Sequence, residues 1–240
     1  MRWLLLLMLL PLPALAQSVS IDLGAAGQPG ATARLVQLTA LIGLLSLAPS
    51  LLVMATAFTR IVIVLALLRQ AIGAQGVPPN PVLIGLALFL TLFVMQPVFE
   101  AAWTLGIQPM SEGRLGEMEG LAAAAEPFRK FMAANVRESD LALFLDLAKL
   151  PSAPGPEQAP FRALMPAFLV TEMKRAFEIG FLLFLPFLVI DMVVASILMS
   201  LGMMMLPPSV VALPFKLIFF VLVDGWALLS ASLVQGFAGV

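Results

Sequence analysis

Two aspartates, Asp191 and Asp224, lie in neighbouring apolar segments, in the contexts LVIDMVV and LVDGW. Paired carboxylates that share a proton are the catalytic groups of aspartyl proteases, some of which work inside membranes. Neither context carries the glycine-x-glycine-aspartate signature of that membrane class. If the chain folds back near residues 204–206, Asp191 faces roughly residues 217–221, and Asp224 lies one to two turns further along. We therefore do not expect a catalytic dyad.

Other catalytic chemistries are excluded by residue types that the chain lacks. It contains no cysteine, histidine or tyrosine. Disulfides, thiolate or imidazole metal sites, and nucleophiles or bases built on Cys or His are therefore excluded. A glycine-rich phosphate-binding loop is also absent. We expect no catalytic residue, no metal site and no cofactor, and an energy source outside this chain.

Asp191 has a better candidate partner in Lys216. In an antiparallel hairpin that bends at Met204, the two residues lie near the same level, 13 and 12 residues from the bend. A desolvated ion pair costs less free energy than either ion alone. Glu172 and Asp224 compete for Lys216, within the chain or from a neighbouring copy. The charges form a structural pair, a proton-relay or gating element, or a pair facing a water-filled lumen.

A second charge cluster lies at the start of the third apolar segment, in the stretch TEMKRAFEIG. It is either an interfacial collar or a set of intersubunit ion pairs that would fix the register of an oligomer. Its members are Glu172, Lys174, Arg175 and Glu178.

The stretch LGMMMLPPSV joins the last two apolar runs. Gly202 and the Pro207–Pro208 pair force non-helical backbone there, which at membrane depth is tolerated only inside protein or around a cavity. The methionines either pad a helical hairpin or, from several copies in a ring, form a deformable apolar seal that excludes water and ions. We favour the seal. Its residues are Met203, Met204 and Met205.

The composition predicts a membrane protein that positions these groups. The chain has 240 residues, of which 61% are hydrophobic and 11% charged, far from the roughly 25% charged residues of soluble domains. Its net charge of −1 indicates neither nucleic acid nor an anionic surface as partner. Prolines and charges within the apolar runs predict kinked helices buried among other protein segments.

The segment boundaries follow from hydropathy, charge and the N-terminal pattern. We expect cleavage after Ala16, so that the mature chain begins outside the cytoplasm. The alternative is an uncleaved first membrane helix, which would be short and interrupted by Pro11 and Pro13. Arg60 and Arg69, in a link without acids, place that link on the cytoplasmic side. The predicted organisation is a signal peptide at 1–16, an extracytoplasmic segment at 17–34, a first hydrophobic hairpin at 35–103 (segments 35–59 and 81–103, cytoplasmic loop 60–80), a periplasmic helical insert at 104–165, and a second hairpin at 166–236 (segments 179–201 and 209–234, methionine loop 202–208).

Apolar residues at helical spacing predict two amphipathic helices in the insert, joined near Arg137–Asp140. The stretch PSAPGPEQAP is a proline- and glycine-rich loop. The next helix is expected to start near Phe161 and to run on into the third apolar segment. The predicted fold class is all-α, of integral membrane type, with long kinked helical hairpins and a small helical insert.

Four stretches together resemble the FliP family of export-gate subunits, which flagellar and virulence type III secretion systems share. They are FTRIVIVLALLRQAIG, PPNPVLIGLALFLTLFVMQPV, ESDLALF and LPFLVIDMVVASILMSLGMMMLPPSVVALPFKLIFFVLVDGW. The resemblance covers about residues 40–230 and is most specific in the C-terminal half. The stretch PSAPGPEQAP is richer in proline than the family leads us to expect.

The resemblance implies a helical ring of about five copies that assembles with FliR and FliQ into a closed cone. The cone would lie largely above the plane of the bacterial inner membrane, in the flagellar basal body, and conduct unfolded flagellar subunits outward. FlhB and the rod proteins would dock on it. The family's methionine stretch corresponds to Met203–Met205. Phe131 and Phe144 become candidates for the lumen or the intersubunit surface, with an ordinary position in the chain's own core as the alternative.

Two other function classes compete with a protein-conducting gate. A small-solute or proton-coupled transporter would need a polar site at the membrane midplane and usually two similar halves, and neither is visible. An intramembrane aspartyl protease would need the dyad excluded above. We expect a non-enzymatic subunit whose partners are its own copies, FliR, FliQ, FlhB, rod proteins, unfolded export substrates and membrane lipid.

Overall fold

The structure is a computed structural model that describes residues 53–237, except 75, 152–154 and 204, together with the single residues 36, 39, 42, 43, 46 and 50. The predicted signal peptide (1–16) and the segment 17–34 lie outside these residues, as do most of the first hydrophobic segment and Met204. The chain divides into two compact units, residues 1–48 and 49–240. All helices named below belong to the second unit.

Every regular element in the described residues is helical, as the sequence predicts. Short connections join eight α-helices, and a π-helical turn at Trp103–Ile107 links α2 to α3. A 3₁₀ turn at Pro156–Gln158 precedes α6. The α-helices are α1 Phe58–Ile72, α2 Asn80–Ala102, α3 Gln108–Ser111, α4 Glu117–Asn135, α5 Glu138–Leu147, α6 Phe161–Ser200, α7 Pro208–Leu222 and α8 Gly225–Gln235.

Helix α1 lies at the centre of the hydrophobic core. Apolar residues at spacings of three and four, including Ile61, Val64, Leu65 and Leu68, are almost fully buried against α2 and α6. The helix ends at Gly73, whose left-handed conformation (φ 81°) lets its N–H bond the carbonyls of the last turn. Residues 58–72 are thus a core helix.

The long helices α1 and α6 run parallel to each other. Arg60 contacts Glu172 near the start of the shared region, and the Leu67 side chain fills the space that a Cβ on Gly180 would occupy. Helix α7 then turns back along α6, with Lys216 opposite Asp191. Because the C-termini of α1 and α6 point the same way, the connections 73–79 and 201–207 lie on one side of the second unit, hereafter the hairpin end.

The insert packs against the other end of α2 and the first half of α6. Helices α4 and α5 meet at Val136–Arg137, within two residues of the predicted join. The π-helical turn approaches α4 so closely that a Cβ on Gly106 would lie 2.5 Å from the Cβ of Ala124. Contacts from α5 to α6 complete the attachment.

Two continuous helical stretches, Asn80–Ser111 and Phe161–Ser200, are long and apolar enough to cross a membrane. Helices α7 and α8 qualify only as a pair, bent by 62° at their junction. Helix α6 begins at Phe161 and continues through the third apolar segment, as the sequence predicts. The predicted loop 60–80 differs in extent, because α1 occupies its first part and only 73–79 connect α1 to α2.

Candidate functional site

The methionine loop is the turn between α6 and α7, and its entry is a C-terminal helix cap. Gly202 adopts φ 72°, and its N–H donates to the Met199 carbonyl at 3.1 Å. The N–H of Met203 reaches back to the Leu198 carbonyl at 2.9 Å. This pair of bonds is the Schellman pattern, which ends a helix at a left-handed glycine. The cap fixes the direction in which the chain leaves α6.

The loop's exit is fixed by proline. Pro207 precedes α7 in an extended conformation and Pro208 is the first helical residue, where a missing N–H costs nothing. Between these fixed ends two methionines are exposed to solvent, Met203 by 43% and Met205 by 98%. Met204 lies outside the described residues. The predicted hinge residues Gly202, Pro207 and Pro208 thus frame an apolar tip.

One ion pair ties α6 to α7 above this tip. Lys216 Nζ lies 2.6 Å from Asp191 Oδ2 and also donates to the Ala71 carbonyl, at 3.2 Å. Lys216 is buried, whereas Asp191 is about one-third exposed, with a side-chain exposure of 34%. Asp191 Oδ1 is buried and has no hydrogen-bond partner within the part of the chain that the structure describes. The lysine therefore joins three helices, and Asp191 retains one carboxylate oxygen that could accept a further hydrogen bond.

Glu172 does not pair with Lys216; its partner is Arg60. Arg60 Nε and Nη2 donate to the two carboxylate oxygens at 2.8 and 2.5 Å, and both side chains are buried. Arg60 Nη1 also donates to the Gly236 carbonyl at 2.7 Å, and its guanidinium lies 3.7 Å from the centre of the Phe237 ring. This Arg60 clamp, formed by Arg60, Glu172, Gly236 and Phe237, joins α1, α6 and the C-terminal end of α8.

Sequence reasoning missed the clamp because it assigned Arg60 to a cytoplasmic loop. Two signals could have shown the helix: the apolar spacing from residue 58 to 72, and Gly73 after it. A basic residue on the buried face of that helix would then have needed an acid.

The remaining collar charges also pair within the chain. Arg175 lies 3.8 Å from Glu172, and Glu178 accepts two bonds from Arg137 at 2.7 and 2.8 Å. Lys174 forms an ion pair with Asp140 of α5. The collar therefore attaches the insert to α6.

Asp140 is the buried member of this attachment. The hydrogen bond from Lys174 holds the pKa of its carboxyl below the usual value, and a second bond from the Thr171 hydroxyl, 2.8 Å long, acts in the same direction. The charge of Arg137 adds a smaller effect. Asp140 consequently stays ionised at neutral pH.

Asp191 and Asp224 have different surroundings. Asp191 is bound to Lys216, and Asp224 lies eight positions beyond Lys216, at the break between α7 and α8. Asp224 is exposed and adopts a left-handed conformation, φ 49° and ψ 51°, that turns the chain. Among the described residues, no group of three or more acidic side chains is placed to hold a metal ion.

Of the two positions considered for Phe131, the structure favours the chain's own core. This ring is 3% exposed and packs between Phe168 and Phe237, with centroid distances of 5.8 and 5.9 Å. It therefore belongs to the chain's own core and is not available to a lumen or a neighbour. Phe144 is partly buried at the edge of the same core, and its intersubunit role stays a prediction.

Apolar side chains also cover the outward faces of α2, α6 and α7. The exposed residues recur at helical spacing, which defines continuous stripes rather than scattered positions. On α6 the stripe runs from Phe177 to Ile197, and only 17% of the most apolar window of this helix is buried. These faces require lipid or protein to cover them.

The sequence profile of the FliP family matches residues 41–233. The chain belongs to the FliP family. It is 56% identical to the flagellar biosynthetic protein FliP of Caulobacter vibrioides over 95% of this chain and 86% of that relative. FliP of Pectobacterium carotovorum is 53% identical over 84% of this chain and 78% of the relative, and FliP of Bacillus subtilis is 46% identical over 90% and 98%.

Membership of the FliP family makes this chain a component of the flagellar export apparatus, not an enzyme. The family resemblance seen in the sequence is therefore confirmed. The apolar helices make it a membrane protein, and the flagellar role fits the inner membrane.

Proposed function

We propose that this chain is a core subunit of the flagellar type III export gate. About five copies, together with FliQ and FliR, form a channel that passes unfolded flagellar subunits across the inner membrane. FlhB and the rod proteins dock on this assembly. The observation that carries the proposal is the methionine loop, an apolar tip held between a glycine cap and two prolines, with Met205 98% exposed.

The chemistry of the tip suits a passive seal. Thioether side chains are flexible and polarisable, so they fill an irregular opening and yield to a passing polypeptide. An apolar ring excludes water and ions when closed. Copies of the tip that meet on one axis would keep the channel dry until a substrate displaces them.

The length of α6 supports an extracytoplasmic insert. Its 40 residues extend about 60 Å, twice the roughly 30 Å of a bilayer's apolar core. With the methionine loop on the cytoplasmic side, the insert at the opposite end would stand above the membrane plane. The acidic excess between residues 100 and 178, 11 acids against 8 bases, agrees with that orientation.

Replacement of Met203, Met204 and Met205 by alanine tests the seal. We expect the triple variant to leak ions through the resting cell envelope, because the shorter side chains leave an opening that water can enter. The measurement is membrane conductance and salt tolerance of cells. Met118→Ala, which removes an exposed methionine from α4, is the control. Unchanged conductance in the triple variant would refute the seal.

Replacement of the same three residues by leucine separates softness from apolarity. Leucine keeps the tip apolar, so the resting envelope should stay tight, but the stiffer ring should slow export of flagellar subunits.

The mass of the detergent-extracted complex distinguishes a gate from a transporter subunit. If the protein is recovered only as a monomer, the proposed ring of several copies is wrong.

A further inference from the structure

The joint between α7 and α8 contains a residue in an unfavourable backbone conformation. Asp224 is left-handed, with φ 49° and ψ 51°, a region in which the Cβ of an L-residue crowds the following carbonyl oxygen. Aspartate often caps a helix through its side chain, yet Asp224 makes no such bond to α8, whose residues are all described. At Gly225 a Cβ would overlap the ring of Phe220, so the two helices approach closely at this point. The 62° bend between them is therefore strained and lacks a side-chain cap.

Contacts at the far end of α8 hold this bend in place. The Gly236 carbonyl accepts a hydrogen bond from Arg60 Nη1 at 2.7 Å, and the Phe237 ring lies against the same guanidinium. Between the joint and these contacts, the buried side chains of α8 are Leu229 and Leu233, which are four positions apart on one face. Helix α8 is thus attached along a single stripe and at its end.

The same contacts connect α8 to the insert. The Phe237 ring stacks on Phe131 of α4 at a centroid distance of 5.9 Å, and Phe131 packs in turn against Phe168 of α6. Helix α7, on the other side of the joint, begins at the hairpin end and is tied to α6 by Lys216. A change in the angle between α7 and α8 would therefore break contacts in the core of the insert.

A second conformation of the joint would relieve the strain. With Asp224 in the right-handed conformation, α7 and α8 would continue as one helix over residues 208–235, about 42 Å long. The two helices taken together are long and apolar enough to count as one such element. The straight form would lose the burial of Leu229 and Leu233 and the contacts of Arg60 with residues 236 and 237. The clamp and the buried stripe thus favour the bent form, and the strain at Asp224 opposes them.

We propose that α8 is a latch that opens about Asp224 and that the Arg60 clamp holds closed. The bent form is the closed latch. In the open form α8 leaves α1 and follows the direction of α7, which uncovers Arg60 and takes Phe237 away from Phe131. One movement thereby links the direction of α7 to the packing of the insert, at opposite ends of α6. The latch requires neither the ring nor the methionine seal, so it can fail while the proposed function stands.

Labelling of single engineered cysteines tests the latch, because the chain contains no native cysteine. Leu233→Cys places a thiol on the buried face of α8, and Leu68→Cys places one in the core of α1, where both leucines are almost fully buried. In the full-length chain in detergent, a thiol reagent should modify residue 233 about tenfold faster than residue 68, because residue 68 is reached only when the core unfolds. Equal rates at the two positions would overturn the proposal.

Substitutions at Asp224 show whether the strained joint sets the rate of opening. Glycine adopts the left-handed conformation without strain, so Asp224→Gly should slow the labelling of residue 233 about fivefold. Alanine favours a continuous helix, so Asp224→Ala should speed this labelling about threefold. Asp224→Asn removes the charge but tolerates the left-handed conformation, and its rate should stay close to that of the wild type.

Leu68→Cys in each Asp224 background is the control for unfolding of the whole chain. If Asp224→Ala speeds labelling at both positions equally, that variant has destabilised the core, and the slower labelling in Asp224→Gly must still appear at residue 233 alone. Equal rates at residue 233 in the glycine and alanine variants would overturn the proposal. A change in Asp224→Asn as large as that in Asp224→Ala would do so too, because the charge and not the backbone would then fix the joint.

Discussion

The Arg60 clamp and the α6–α7 hairpin are both built on ion pairs, but only the clamp is complete within one chain. In the clamp, arginine and glutamate are buried, and the guanidinium makes three hydrogen bonds and a ring contact. In the hairpin, Asp191 is partly exposed, one of its oxygens lacks a partner in the described residues, and apolar stripes face outward. The polar groups of the first region are satisfied within the chain, whereas the second region leaves an acceptor oxygen and apolar faces that lipid or other subunits would have to cover.

The same contrast divides α6. Its first half buries small residues such as Ala163, Ala167, Ala176 and Gly180, which let α1 and the insert approach closely. Its second half buries few side chains and exposes most of its large ones. One helix therefore serves as a core element at one end and as an interaction surface at the other.

Glu172→Ala gives the largest expected effect, because it leaves the buried charge of Arg60 without its partner. We expect a loss of about 3–5 kcal/mol in the free energy of unfolding. The measurement is chemical unfolding of the detergent-solubilised chain. The double variant Arg60→Met with Glu172→Met should recover much of the loss, since it removes both charges from the core. If the single variant unfolds like the wild type, the clamp does not stabilise the fold.

Lys216→Asp tests the other region. The change places a second carboxylate beside Asp191, so the hairpin should splay and assembly with other subunits should fail, while the clamp region keeps its fold. The measurement is recovery of the complex after detergent extraction, with far-UV circular dichroism as the check on folding. Lys130→Asp, on an exposed turn of α4, is the control. Normal recovery of the complex would contradict a structural role for the pair.

The smallest expected effect concerns the attachment of the insert. Because the folded-state pKa of Asp140 is lowered, its contribution to stability is complete above the unfolded pKa of about 3.9 and is lost as pH falls through the lower folded value. Lys174 is half exposed, so the contribution is about 1 kcal/mol or less. The hydrogen-exchange protection factors of the α5 amides, compared between neutral and acid pH, measure this contribution. Asp140→Asn should lower the α5 protection factors at neutral pH, with little further loss at acid pH. If the protection factors of the variant fall with pH as much as those of the wild type, a group other than Asp140 causes the fall.

Local patterns in the sequence predicted the elements and the local pairings. Helix α6 starts at Phe161 because Pro160 precedes it, and the insert divides near Arg137, where the apolar spacing is interrupted. The contact between Asp191 and Lys216 could be predicted because the two residues lie at nearly equal distances along the chain from the same bend.

Contacts between distant parts of the chain could not be predicted in this way. Arg60 and Glu172 are 112 positions apart, and no periodicity relates them. The burial of Phe131 depends on Phe168 and Phe237, which three separate helical regions bring together. Counting charges in each loop used Arg60 to place a link on the cytoplasmic side of the membrane. In the structure Arg60 instead neutralises an acid in the core.

The continuity of α6 has a mechanical consequence. Pro186 removes a backbone hydrogen bond within the helix. The 14 residues after Pro186, 187–200, extend about 21 Å, so a change of about 10° in direction at the proline would displace the end of α6 by about 4 Å. A small angular change at the proline would thus move the methionine loop by about the width of a side chain.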